Sequence, residues 1–157
     1  MNIDELLDVL VSANLCRREE IRGCSVQEVA DLEASVGLVL PARYREFLLL
    51  AGKGAGEFYV GTDFFVPQIL GLNDDAAELL AENNEGFALP DDAFVFLMHQ
   101  GYQFNYFRAG EGDDPPVYYY HEARGAPVQT MPCFSAFLLD AIEWHQRMAA
   151  RRLGGQS

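Results

Sequence analysis

A chain of 157 residues, half of them apolar, is long enough to bury one sizeable core and too apolar to be disordered or fibrous. Its 24 acidic against 11 basic residues leave a formal net charge of −13, which disfavours nucleic-acid binding by phosphate neutralisation and would steer a basic partner to the surface. No apolar run reaches the roughly 20 residues of a membrane-spanning helix, and the opening MNIDELLDVL has acids where a secretory signal needs bases. A cytoplasmic protein with no membrane partner is therefore expected. Three cysteines, Cys16, Cys24 and Cys133, cannot all pair with one another and match no CxxC spacing, which reads as reduced thiols.

In chain order, Ile3, Leu6, Leu7, Leu10 and Val11 recur at helical spacing and predict an amphipathic helix fading near Asn14. Residues 16–24 are charged and form a connector with room for a helical turn. Ser25-Val26-Gln27-Glu28 is a capping box, opening a helix that Gly37 should close in the left-handed region. Pro41 suits the first turn of the next helix, whose apolar stripe is Tyr44, Phe47, Leu48 and Ala51, with Gly52 at its end. Lys53-Gly54-Ala55-Gly56 lacks the GxxxxGK[ST] pattern of a phosphate-binding loop and reads as a turn. Residues 57–60 and 63–66 predict a hairpin around Gly61-Thr62. Asp75 with Glu78 suggests a capped start for a short helix over 76–81, closed by Asn83-Asn84-Glu85-Gly86.

The stretch 93–122 carries aromatic and β-branched side chains punctuated by Gly and Pro, and predicts three antiparallel strands. They span Ala93–His99, 102–108 and Val117–His121, with an acidic loop at 109–116 and a short edge strand at Val128–Met131. Ser135 is placed to cap a last helix with a buried face of Phe137, Leu138, Ala141, Ile142, His145 and Met148. A frayed tail follows from Gly154. The element order predicts an α+β fold: N-terminal helices, a mostly antiparallel central sheet and a long C-terminal helix packed on it.

Reactive groups are few. His99 and His121 sit at strand ends and could face each other, but no ligand spacing such as HExxH accompanies them, so structural histidines are expected and no metal. The pairs Asp74-Asp75, Asp91-Asp92 and Asp113-Asp114 adjoin turns or helix starts, where aspartate serves local hydrogen bonds. No GxSxG elbow is present, and Cys133 sits among Met131, Pro132 and Phe134 as a packed thiol. Tyr118, Tyr119 and Tyr120 alternate across one strand, so the core and an exposed contact surface both have a claim on them.

The segment VQEVADLEASVGLVLPARYREFLLLAG resembles the signature of the SMI1/KNR4 family of the SUKH superfamily, through Leu32, Glu33, Gly37, Leu40, Pro41, Tyr44, Phe47, Leu48 and Gly52. The later stretch FLMHQGYQFNYF, then DDPPVYYYHE and FSAFLLDAI, is also similar to a subset of these proteins. Many members place Asn before the Gly that closes the second helix, where this chain has Ala51. The resemblance implies a single α+β domain over 1–157, its core at about 25–150, with 1–24 an N-terminal helix and connector. It implies no catalytic site, and no cofactor is expected. Many bacterial members are implied to be immunity proteins that neutralise a toxin, often a nuclease, and fungal relatives to be regulatory scaffolds.

The expected function joins that resemblance to the charge: a protein that binds a cognate basic toxin through an acidic surface. A regulatory scaffold with an endogenous partner ranks second, and a small enzyme using His99 or His121 third. Expected partner contacts are Glu111, Asp113, Asp114, Tyr118 and Tyr120, then Asp63, Asp74 and Asp75.

Overall fold

A computed structural model describes residues 2–84 and 86–154, with side chains through Arg152. Met1, Glu85 of the expected helix stop, and 155–157 of the expected tail lie outside the described residues. Helix α1, Ile3–Ser12, starts at a capping box: the Glu5 amide donates to Asn2 Oδ1 at 2.8 Å while the Asn2 amide donates to the Glu5 carboxylate. Its stripe of Ile3, Leu6, Leu7 and Leu10 is buried. The connector holds a 3-10 turn, Arg18–Glu20, and a two-residue strand β1, Ile21–Arg22. That strand pairs antiparallel with β2, Gly54–Ala55, so the glycine-rich turn serves as a sheet partner.

The helix pair follows the sequence closely. Helix α2, Val26–Val36, carries the Ser25–Glu28 capping box and ends on Gly37 at φ 69°, a conformation open to glycine at little cost. The Glu33 carboxylate accepts from the Leu40 amide at 2.7 Å and holds the link to α3, Ala42–Ala51. All four residues of the predicted stripe in α3 are buried.

The expected hairpin over 57–66 does not form. Residues 57–62 are turns, with Tyr59 at φ 53°, outside any strand conformation. Tertiary packing explains the difference. Phe58 and Phe64 are both buried, meeting edge to face at 5.8 Å, and the Tyr59 ring lies 4.7 Å from Phe64. An extended run would turn alternate rings to solvent; the coiled path brings all three inward.

Helix α4, Leu72–Glu82, also starts earlier than expected. Its N-cap is Gly71 in the left-handed region, without a side-chain cap, and Asp74 and Asp75 lie in the first turn where the dipole favours acids. The strands then follow: β3 Ala93–His99, β4 Gln103–Arg108, β5 Val117–His121 and β6 Val128–Met131. They form one antiparallel sheet in the order β3-β4-β5-β6. Strand β4 begins one residue later than expected, because Tyr102 completes the turn with Gln100 and Gly101.

The outer edge of β3 is closed by side chain and backbone together. Asn73 on α4 donates from Nδ2 to the Ala93 carbonyl at 3.0 Å and accepts from the Val95 amide at 2.7 Å. Farther along, Asp63 and Met98 exchange backbone hydrogen bonds, both at 3.0 Å. A strand edge satisfied in this way offers no template to another chain.

Helix α5, Phe134–Gly154, reaches the first residue of the expected tail and lies across one sheet face. Phe134 is fully buried, with Tyr44, Phe96 and Phe107 at ring distances of 5.2, 5.3 and 6.0 Å. Tyr44 of α3 sits at the centre of these rings, and its hydroxyl has no partner among the described residues. Burial raises its pKa, so it stays a neutral phenol. Leucines of α1 join the same cluster, so the N-terminal helix is part of the core. Among the described residues no helix is long and apolar enough to cross a membrane.

Candidate interaction surface

The loop between β4 and β5 is acidic, exposed and tightly held. It starts in a 3-10 turn, Ala109–Glu111, and turns at Gly112 with φ 107°, where a side chain would be strained. Arg108 Nε donates to Asp92 Oδ1 at 2.8 Å, and the Gly110 amide donates to Asp92 Oδ2 at 3.1 Å. Those bonds, the one from Arg108 first, hold the Asp92 carboxyl below the usual carboxylate range. Glu111 accepts the Tyr118 hydroxyl on both oxygens, at 2.9 and 3.1 Å. The Tyr118 ring stacks on Tyr106 with centroids 5.1 Å apart. Burial and then the Glu111 bond raise the Tyr118 pKa, and burial pushes Tyr106 up to about 12, so both rings stay neutral.

The far half of the loop is clamped to two helix starts. The Asp113 carbonyl accepts from the Arg43 amide at 2.9 Å, at the first turn of α3. Asp114 Oδ1 accepts from the Ser135 amide at 2.9 Å, and its Oδ2 accepts the Ser135 hydroxyl. The expectation that Ser135 caps α5 is therefore corrected. The helix begins at Phe134, two residues earlier than a Ser135 cap would place it, and a carboxylate from the β4–β5 loop takes the Ser135 amide and hydroxyl.

This arrangement sorts the expected contact residues. Glu111 and Asp113 are exposed, and Tyr118 is half-buried with its hydroxyl on Glu111. Asp114 is spent on the helix terminus. Tyr120 shares a sheet face with Tyr118 but is only 1 % exposed, and its hydroxyl accepts from Asn83 Nδ2 at 3.0 Å. It belongs to the core, because the end of α4 covers the sheet there while the loop end stays open. Asp63, Asp74 and Asp75 are exposed but border β3, two strands away from β5. Sequence reading missed Asp92 and Arg108 as the loop's support, since partners 16 residues apart leave no local pattern.

The histidines do not converge. His99 Nδ1 lies 2.9 Å from the Thr62 hydroxyl, and His121 Nδ1 lies 2.8 Å from the Glu122 carbonyl. The Tyr102 ring contacts both imidazoles, at 6.0 and 5.2 Å. Among the described residues no three metal-ligating side chains gather. His145 is a clip. Its Nδ1 donates to the Ala141 carbonyl at 2.8 Å and its Nε2 accepts from the Tyr59 amide at 3.4 Å, which fixes the neutral tautomer.

Burial lowers the His145 pKa from its ordinary 6.5. The unfolded chain therefore takes up this proton first, and the contribution to stability is full above about pH 6.5 and lost as pH falls toward the folded value. Urea midpoints measured between pH 7.5 and 5 are expected to fall with pH, with a shallower slope in His145→Gln; equal slopes would remove His145 as the source.

Comparison with curated proteins gives no match. The model of the SMI1 / KNR4 family (SUKH-1) matches residues 23–140, from the residue before Cys24 into the first turns of α5. That span holds the helix pair, the sheet and the acidic loop, and the chain belongs to the SMI1 / KNR4 family (SUKH-1).

Proposed function

We propose that this chain is a cytoplasmic, non-catalytic immunity protein that binds and neutralises a cognate basic toxin, such as a nuclease, through its acidic surface. The observation that carries the reading is the net charge of −13 on a member of this family. Supporting it, Glu111 and Asp113 stand exposed on a loop whose backbone is held at both ends. A rigid acidic loop loses little entropy on docking and draws a basic surface toward it. Tyr118 adds an aromatic ring with a polar tip beside the carboxylates. Nucleic acid, membrane, metal and cofactor have no part in this activity.

The test is co-expression with toxin domains encoded by adjacent reading frames, scored by growth, together with association kinetics of the purified pair. Glu111→Lys with Asp113→Lys is expected to slow association by about 10-fold or more at low salt, and added salt should slow the unaltered protein similarly. Asp114 is left intact so that α5 keeps its cap. Full rescue by the reversed variant, with association indifferent to salt, would sink this surface. A housekeeping defect on deletion, with no toxin made lethal, would favour a scaffold instead.

A further inference from the structure

The sheet face that carries the aromatic core changes chemistry along its strands. At one end Phe94, Phe96 and Phe107 meet Tyr44 and Phe134 ring to ring. Toward the other end the same face presents Asn105, paired with Leu97 and Tyr119, and Gln103, paired with His99 and His121. Opposite them α5 brings Trp144 and His145, and a groove of about 700 Å³ opens between sheet and helix. That volume lies within the roughly 300–1,000 Å³ of small-ligand pockets.

Tyrosines apart, Asn105 is the one buried polar side chain among the described residues, at 8 % exposure, and it lines this groove. Its Nδ2 reaches only the Tyr118 carbonyl, at 3.5 Å, the outer limit of a hydrogen bond. No donor from the described residues reaches its oxygen. Gln103 beside it accepts the Tyr119 hydroxyl, which leaves its amide hydrogens unspent. Two carboxamides, two residues apart on one strand face, thus offer an acceptor and donors together. The Asn105 oxygen is not sealed away but opens onto the groove, so both carboxamides keep hydrogen-bonding capacity there for a group that displaces solvent.

The lining also limits what that group is. Glu57 and Arg152 carry opposite charges, both His145 nitrogens are engaged within the protein, and His99 meets the Thr62 hydroxyl through Nδ1. The groove therefore favours neither an anion nor a cation, unlike the acidic loop. Trp144 is 49 % exposed and supplies a flat apolar wall. A planar, uncharged group with both a donor and an acceptor matches all of this, and an amide is the protein group of that description.

We propose that this groove is the anchor site for an uncharged, amide-bearing loop of the protein partner, hydrogen-bonded to Asn105 and Gln103 and covered by the Trp144 indole. The inference rests on the partner-binding reading and deepens it: the acidic loop governs approach, and the groove holds the complex. Such a division matches the separation of charge-driven association from the buried contacts that set residence time.

Trp144 is the chain's single tryptophan, so its emission reads the groove directly. The probes are N-acetyl-glutamine methylamide, N-acetyl-leucine methylamide and N-acetyl-arginine methylamide, titrated into the whole chain without any toxin. The glutamine probe is expected to give a saturable shift, with affinity on the order of millimolar for a fragment of this size. Affinity should fall about 10-fold in Asn105→Leu, as loss of a buried hydrogen bond predicts. Gln103→Met, a more exposed position, serves if Asn105→Leu does not fold. Glu111→Lys with Asp113→Lys should leave the titration unchanged. An equal response to the leucine or arginine probe, or an affinity unmoved by either groove variant, would overturn the proposal. Emission that changes with protein concentration alone would assign the groove to a second copy and overturn it too. Because no toxin enters this experiment, its failure is distinct from failure of the neutralisation test.

Discussion

Replacing Phe134 with alanine is expected to lower the unfolding free energy by about 3–5 kcal/mol, the usual loss for a fully buried ring. Phe134 is the first residue of α5 and is fully buried, with five aromatic rings around it: Tyr44, Phe47, Phe96, Phe107 and Phe137. Helix, sheet and α3 meet at that one side chain, so the cavity left behind cannot close by moving any one of them. Urea unfolding reads the loss. A change under about 1 kcal/mol would mean that the aromatic cluster repacks freely, contrary to the close packing of protein interiors. The neighbouring Ser135 holds Asp114 and hence the acidic loop, so loosening the helix start should also weaken partner binding beyond the fraction unfolded.

Asn73→Ala is expected to cost about 2–4 kcal/mol, because it strands two backbone groups of a buried strand at about 1–3 kcal/mol for each unsatisfied group. Ala93 and Val95 are 2 % and 1 % exposed, and the Asn73 carboxamide bonds the carbonyl of one and the amide of the other. Asn73→Asp keeps an acceptor for the Val95 amide but sets an acceptor against the Ala93 carbonyl, so an intermediate loss is expected. Hydrogen exchange at the Val95 amide, compared among the three proteins, separates the two bonds. If Asn73→Ala leaves both stability and that exchange rate unchanged, packing of α4 alone closes the edge.

These residues also mark the boundary of what one dimension can show. Local rules carried the helix pair: the Ser25–Glu28 capping box, the left-handed Gly37 and the buried stripe of α3 all depend on neighbours three or four positions away. The strands were legible for the same reason, since aromatic density and Gly-Pro punctuation are local signals. The failure at 57–66 is the converse. The alternation there was real, but ring contacts with α3, β3 and α5 outweighed it and bent the chain inward.

The candidate surface divides along the same line. Its acidity and family were readable from residue types and motif order alone, because charge and short-range patterns need no coordinates. Which acids face outward was not, since Asp113 and Asp114 are adjacent and chemically alike, yet one points to solvent and the other caps α5 from 21 residues away. Tyr118 and Tyr120 differ in the same way, being equivalent in strand period and separated only by where α4 ends. The half-satisfied Asn105 needed the tertiary structure most, because a hydrogen-bonding group is recognised as unspent only once everything within its reach is known.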